Sequence, residues 1–431
     1  VVAALDASLS RAGPNGGEAV ALVAEIDVLP RRFEGQGAGS LDRLSEALSD
    51  RLARTLGADD LVARHGSSGF AVALAPARGL GVPTAVQLAG VIQRALSEPV
   101  SLGASVVHPT VSIGLALPSR LAAPSGETLL SAATLAAAEA QRNGPAGIRT
   151  FSVDLQVRAD TRGILAREVA EALERGEVRA FFQPQVCART GALSGFEALA
   201  RWQHPVRGLI PPVEFLPILE EAGLMRRLGA VMLRDALSAL HDWQLLGLNV
   251  PRIGVNLSSI ELADPHLVER VTWELDRFDI SPDRLIVEVL ETVAAAREED
   301  TVIRNLAALA RLGCGLDLDD FGTGHASITC IRRFSINRIK IDRSFVTGLD
   351  RDAEQQRLLG AILMMADRLG LATLAEGVET AEERHALARL GCQHVQGFGI
   401  ARPMPFEEVA AWIRVWDPQE KSLTGRQLRV I

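Results

Sequence analysis

Asp319 and Asp320 are adjacent carboxylates at the end of an apolar stretch, Cys314-Gly-Leu-Asp-Leu, and Phe321-Gly322-Thr323-Gly324 follows at once. Two neighbouring acids leaving a hydrophobic strand repel each other and lose hydration, so the arrangement is unfavourable unless cations, donors or protons compensate it. A metal site is the reading this chemistry favours. An Asx-type turn, with one Asp capping the backbone that follows, explains the dipeptide equally well when it is taken alone.

The same design, an apolar strand ending in a metal-competent or acid-base side chain, recurs through the second half of the chain. Glu197 is followed four residues later by Arg201, Asn256 lies in Val-Asn-Leu-Ser, and Glu288 is followed by Glu291. Lys340 lies in a further apolar segment, Glu376 and Glu379 follow another, and Gln396 and Gln183 add uncharged donors and acceptors. Each has a bland explanation by itself: a solvated strand end, a buried ion-pair partner, a loop hydrogen-bonder. Jointly that explanation needs an independent accident at every strand. The set is rich in oxygen ligands, and the eight histidines show no metal-ligand spacing. Such ligands suit hard divalent cations, Mg²⁺ or Mn²⁺, better than Zn²⁺ or Cu²⁺. So many acids could neutralise two cations, and paired ions roughly 3.5–4 Å apart serve in-line attack on phosphodiesters. Gly322-Thr323-Gly324 alone is a weak phosphate-loop signal, and a flexible lid accounts for it equally well.

The elements that must position these residues fall into two groups. Residues 1 to about 150 mix β-like and helical segments: strands at Ala19–Val28 and Val111–Leu117, a hairpin over Leu61–Leu74, and helices at Leu41–Leu56, Thr84–Leu96 and Leu129–Arg142. A strand around Ile148–Phe151 closes a small α/β sandwich, and a helical, charge-rich stretch follows over Asp154–Leu173. Eight apolar segments come next: Ala180–Gln185, Leu193–Leu199, Ile253–Leu257, Leu285–Val289, Gly315–Asp319, Arg338–Ile341, Thr373–Ala375 and His394–Ile400. Apolar strands alternating with helices predict a (β/α)₈-type barrel, whose catalytic groups sit at the C-terminal strand ends. The connection between the first two segments is too short for a crossover helix, which predicts an antiparallel first pair. The expected boundaries are 1–152 for the first domain, 153–162 for a helical linker, 163–416 for the barrel and 417–431 for a tail.

The chain's 431 residues suit two domains. Its net charge of −8 argues against nucleic acid or a membrane surface held by a basic field. The four cysteines are scattered without a Cys-x-x-Cys pair, which fits a reducing cytoplasmic setting. No run reaches the roughly 18 apolar residues of a spanning helix. The chain begins at Val1, so a sensor or membrane region upstream is compatible with the sequence.

Five ordered motifs, Glu197-Ala-Leu199-Ala-Arg201-Trp202, Asp319-Asp320-Phe321-Gly322-Thr323-Gly324, Lys340-Ile-Asp342, Ala375-Glu376-Gly-Val-Glu379 and Gln396-Gly-Phe398, resemble the EAL-domain cyclic di-GMP phosphodiesterases over about 163–416. The resemblance implies a (β/α)₈-like barrel and hydrolysis of cyclic di-GMP to linear pGpG. It implies that Glu197, Asn256, Glu288 and Asp319 bind a first Mg²⁺ or Mn²⁺, with Asp320 and Glu379 helping a second. Glu376 would be the general base, with Lys340 orienting the water and Gln396 supporting that network. Gln183, Leu199, Arg201 and Gln396 would contact the substrate. Glu291 would anchor the loop that starts at Phe321, which the family couples to dimerisation through the barrel. Ca²⁺ is expected to inhibit, because it imposes looser coordination. His325 and Phe398 stand where the family usually has Tyr.

The first half resembles a GGDEF domain, the family that makes cyclic di-GMP, with a degenerate signature. Arg64-His-Gly66-Ser67-Ser68-Gly69-Phe70 replaces Arg-x-Gly-Gly-Asp-Glu-Phe. Glu25 stands where a metal-binding Asp is expected, Pro30 where a Lys is, Ser40 where a nucleotide-binding Asp is, and Gly57 where an inhibitory-site Arg is. Loss of those acids removes the charge partners of Mg²⁺–GTP, so a regulatory or dimerising role is expected, with a structural remnant as the alternative. For the barrel, two rivals to hydrolysis stand: a receptor that binds cyclic di-GMP without cleaving it, and a Mg²⁺-dependent enolising enzyme with Lys340 as base.

Overall fold

A computed structural model describes residues 1–11, 18–27, 39–66, 68–77, 81–102, 105–291, 300–322 and 334–416. Pro30, Ser67, Thr323, Gly324, His325, Cys330, the 417–431 tail and the Ser40 side chain lie outside the described residues. The chain divides into two units, Val1–Ile164 and Leu165–Ile431, and the boundary falls inside the helix Val153–Glu174.

The first unit is built on strands β1 (Glu18–Ile26), β2 (Leu61–His65), β3 (Gly69–Ala77), β6 (Val111–Ala116) and β7 (Ile148–Thr150), with a separate hairpin of β4 (Val100–Leu102) and β5 (Ser105–Val107). The main sheet has the order β2-β3-β1-β6-β7, antiparallel except for the last pair. Burial on both faces of β1 explains its unbroken apolar run: Leu22 joins Leu48, Phe70 and Ile92 on one side, and Val23 joins Leu129, Ala133 and Ala137 on the other. The helix Gly126–Arg142 is alanine-rich because it lies directly on the sheet. A Cβ at Gly114 would sit 2.1 Å from Ala133 O and 2.1 Å from Ala137 N. The helix Val2–Arg11 and the β4–β5 hairpin are elements the sequence reading did not contain.

The second unit is a closed barrel of eight strands: β8 (Val178–Cys187), β9 (Leu193–His204), β11 (Ile253–Asn256), β12 (Leu285–Leu290), β13 (Gly315–Phe321), β14 (Arg338–Ile341), β15 (Ala372–Ala375) and β16 (His394–Val395). The short β10 (Gly208–Ile210) adds to β9 outside the ring. Strand β8 runs antiparallel to both neighbours, β9 and β16, while the remaining pairs of the ring are parallel. The antiparallel first pair is therefore as expected.

The eighth segment is a correction. Expected as a strand over His394–Ile400, it is extended only at His394–Val395, so Gln396 lies just beyond the strand. The chain then turns across Val378, where Gly399 N–H donates to Val378 O at 2.8 Å. Gly397 and Gly399 pass so close that a Cβ would meet the Val378 and Glu379 backbone at 2.2 and 2.6 Å. Backbone proximity available only to glycine draws the segment out of the sheet. Among the described residues no helix is long and apolar enough to cross a membrane.

The contact at Gly114 predicts that Gly114→Ala destabilises the first unit by about 1–3 kcal/mol through overpacking. Urea unfolding followed by circular dichroism checks this, and an unchanged midpoint would contradict the close helix–sheet approach.

Candidate active site

Lys340, on β14, is fully buried inside the barrel and faces four carboxylates. Its Nζ lies 2.5 Å from Glu288 Oε2, 2.7 Å from Glu376 Oε1, 3.1 Å from Asp319 Oδ1 and 3.4 Å from Glu197 Oε2. Glu197 comes from β9, Glu288 from β12, Asp319 from β13, and Glu376 directly follows β15. Convergence follows from register: Gly254 pairs with Glu197 and Asn256 with Glu288.

Strand alternation would send Asp319 and Asp320 to opposite faces of the sheet. The β13–β14 register slips between Leu318 and Phe321, and Asp320 takes a φ of 54°, so a one-residue bulge interrupts the alternation. Asp319, Asp320 and Glu376 consequently offer oxygens within 4.8 Å of one another. Glu197, Glu288 and Asp319 form a second such group, sharing Asp319. A left-handed Asp is a modest strain, which the bulge confines to one residue.

Room for Glu288 depends on the neighbouring strand. A Cβ at Gly254 would lie 2.1 Å from Glu288 Oε1. That oxygen is buried and has no hydrogen-bond partner among the described residues, which fits it for a cation. Both oxygens of Glu197 are held by amides: Asn256 Nδ2 donates to Oε1 at 2.7 Å and Gln396 Nε2 to Oε2 at 2.6 Å. The donor set, carboxylates with an amide, fits a hard divalent cation.

The titration of the cluster is divided. Burial, reinforced by Glu197, drives Glu288 well above the ordinary carboxylate range against the pull of Lys340. Burial also opposes ionisation of Glu197, but the Lys340 charge and the amide donors outweigh it and hold its pKa low. Burial pushes Glu376 up to about 8, with Lys340 opposing. Asp320 is raised by burial and by the Asp319 charge. Burial disfavours the Lys340 cation, yet the surrounding acids raise its pKa well above the usual value.

Other expected residues take distinct positions. Gln183 Nε2 donates to Ala401 O at 3.0 Å, and its Oε1 accepts from Gln396 at 3.0 Å. Arg201 and Leu199 are half-buried on β9, and burial lowers the Arg201 pKa against the attraction of Glu197. Gly322 N–H donates to the buried Glu291 Oε2 at 2.9 Å, next to the half-buried Phe321. Glu379 is exposed and belongs to neither carboxylate group; its N–H donates to Glu383 Oε2 at 2.9 Å. Sequence reasoning missed Gly254, whose only signal is a glycine in an apolar strand. It also missed Gln185 and Arg338, each two residues from a chosen residue and hence on the same strand face.

In the first unit, Gly66 has a φ of 61° in the β2–β3 turn, and Phe70 is buried in the sheet core. Gly69 pairs with Glu25 across β1–β3, and a Cβ at Gly69 would lie 2.5 Å from Glu25 Oε1. The Glu25 carboxyl fills the space beside residue 69. Its pKa is raised by burial, with His65 and a hydrogen bond to Ser68 opposing.

Comparison with known proteins gives the same division of the chain. The EAL domain model matches residues 166–403, and the diguanylate cyclase GGDEF domain model matches residues 3–146. The bifunctional diguanylate cyclase/cyclic di-GMP phosphodiesterase MucR of Pseudomonas aeruginosa is 35% identical over 370 residues, covering 86% of this chain and 53% of MucR. The cyclic di-GMP phosphodiesterase NbdA of the same organism is 30% identical over 393 residues, covering 91% of this chain and 49% of NbdA. The chain thus spans about half the length of these curated relatives. A solved structure of the PaMucR phosphodiesterase in complex with c-di-GMP superposes with a TM-score of 0.54 at 39% identity, covering 57% of this chain and 99% of that one.

Two outcomes test the site. Gly254→Ala should displace Glu288 and weaken divalent-cation binding about tenfold or more, measured by calorimetric titration; undiminished affinity would remove Glu288 from the cation site. The second concerns pH. With Glu376 raised from 4.5 to about 8, its protonated form stabilises the fold fully below about pH 4.5, and that contribution is lost as pH rises through about 8. A divalent cation replaces the proton, so it should raise the melting temperature more at pH 8.5 than at pH 6.5. Equal shifts in thermal unfolding at the two pH values would contradict this.

Proposed function

The chain belongs to the EAL family, and from that premise we propose that its barrel hydrolyses cyclic di-GMP to linear pGpG. The observation that carries this reading is the buried Lys340 ringed by Glu197, Glu288, Asp319 and Glu376, with the bulge turning Asp320 toward the same place.

Glu197, Asn256, Glu288 and Asp319 would hold one divalent cation, and Asp320, with Glu379 after a movement of its side chain, would help a second. Bound cations would neutralise the phosphodiester charge and make a water more acidic. Glu376 would take the proton of that water as its oxygen bonds to phosphorus, while the P–O3′ bond breaks and the departing oxygen acquires a proton. With the cations bound, Glu376 would lose the proton that burial otherwise favours on it and stand ionised, as a base must. Lys340, 2.7 Å from Glu376, would keep the base turned toward the water. Gln183, Leu199 and Gln396 would line the dinucleotide, and Arg201 would hold a phosphate.

The receptor reading has less support, because the sequence retains every residue the resemblance assigns as ligand or base, and Glu197, Glu288, Asp319, Asp320 and Glu376 fall in two carboxylate groups that could hold a cation. The enolising alternative loses its base: a lysine held protonated by four acids does not accept a proton. For the first unit we propose a catalytically silent, regulatory role, supported by Ser68 and Gly69 at the signature's acidic positions and by Glu25 filling the space at residue 69. The hydrogen bond from Gly322 to Glu291 supports Glu291 as the anchor of the loop that starts at Phe321, and a homodimer through the barrel is proposed from the family resemblance alone.

Purified protein with cyclic di-GMP and Mg²⁺ or Mn²⁺ should release pGpG, and Ca²⁺ should inhibit. Glu376→Gln should lower kcat by about 10²–10⁴-fold. Chromatography of the products checks both; tight binding by the wild type without pGpG would overturn the enzymatic reading in favour of the receptor.

A further inference from the structure

A chain of hydrogen bonds crosses the barrel interior from its N-terminal end to the carboxylate cluster. Arg338 Nε donates to Asp317 Oδ2 at 2.6 Å, and Arg338 Nη2 donates to Gln185 Oε1 at 3.0 Å. Gln185 Nε2 donates to Gln396 Oε1 at 2.9 Å, and Gln396 Nε2 donates to Glu197 Oε2 at 2.6 Å. Gln185, Gln396, Glu197 and Asp317 are all buried. At the outer end, Gln185 and Arg338 line a cavity of about 250 Å³.

The polarity of the chain is imposed by its ends. A guanidinium only donates and a carboxylate only accepts. Between them each glutamine must accept on its oxygen and donate from its nitrogen, in one sense. We propose that Gln185 and Arg338 are positioning residues, which compel Gln396 to present its NH₂ to Glu197 and so hold that carboxylate in the cation site. Gln183 supports the same orientation, because its own NH₂ is committed to Ala401 O and leaves its oxygen for Gln396. The proposal rests on the hydrolytic reading above only for its turnover measurement.

The test uses the full chain with Gln185→Glu, Gln185→Met and Arg338→Lys. Glutamate keeps the size of Gln185 and the contact with Arg338 but sets an acceptor against Gln396 Oε1. Methionine removes the donor without adding charge, and lysine remains donor-only. Both Gln185 variants should melt as folded proteins, bind Mn²⁺ about 10–100-fold more weakly, and lose pGpG formation in parallel. Arg338→Lys, donor-only but without the fork that reaches both Asp317 and Gln185, should weaken Mn²⁺ binding about three- to tenfold. In ¹⁵N-resolved spectra the Gln396 side-chain pair, identified by its absence in Gln396→Leu, should move in both Gln185 variants. Wild-type Mn²⁺ affinity in both, or an unmoved Gln396 pair, overturns the proposal. Wild type that binds Mn²⁺ without forming pGpG defeats the hydrolytic reading instead. Absence of Mn²⁺ binding defeats the metal reading, and the amide spectrum, which needs no metal, still decides the relay.

Discussion

The ammonium of Lys340 is the interaction on which the second unit depends. Four carboxylates around one buried point would be expelled or fully protonated without a cation among them, since an uncompensated buried charge costs about 3–5 kcal/mol. One lysine cannot neutralise four acids. The remainder is met by protons, held chiefly where burial is deepest at Glu288 and where Glu376 is raised to about 8, and it is this excess that makes the cluster receptive to divalent cations. Gly254 and the bulge at Asp320 are the backbone concessions that let so many oxygens approach.

Much of this was legible in the sequence because the signals were of the kind a linear reading captures. Apolar runs of strand length, each ending in a polar side chain, revealed the barrel, and the short Cys187–Leu193 connection revealed its antiparallel pair. Convergence of Glu197, Glu288, Asp319, Lys340 and Glu376 followed from those strand ends. What stayed hidden is chemistry decided by register. Strand alternation alone places Asp319 and Asp320 on opposite faces, and nothing in the dipeptide marks the one-residue slip that reunites them. Gly254 is visible as a glycine but not as the space beside Glu288. The end of β16 was misjudged because hydrophobicity continues through Ile400 while the glycines take the backbone elsewhere. The helix Val2–Arg11 was unread because its burial is confined to Leu5 and Ser8.

The barrel interior is layered by the two-residue period of its strands. Arg338 with Asp317 and Gln185 forms a charged and amide layer, and Lys340 with Asp319 forms the next, on the same strands two residues further. A barrel filled this way carries polar groups through its middle, where aliphatic side chains would pack more simply. The polar filling fixes orientation as well as volume: Arg338 can only donate and Glu197 can only accept, so each glutamine between them has one orientation and the geometry at the mouth is set partly from below.

In the first unit the Glu25 carboxyl and the bare backbone of Gly69 share one volume. The far end of Glu25 rests where a side chain at 69 would begin, and burial there raises its pKa against the pull of His65 and Ser68. The two positions are therefore coupled through space: any side chain at 69 obliges the Glu25 carboxyl to swing aside, so the size of one residue sets the resting place of the other, and with it the surroundings that govern its charge.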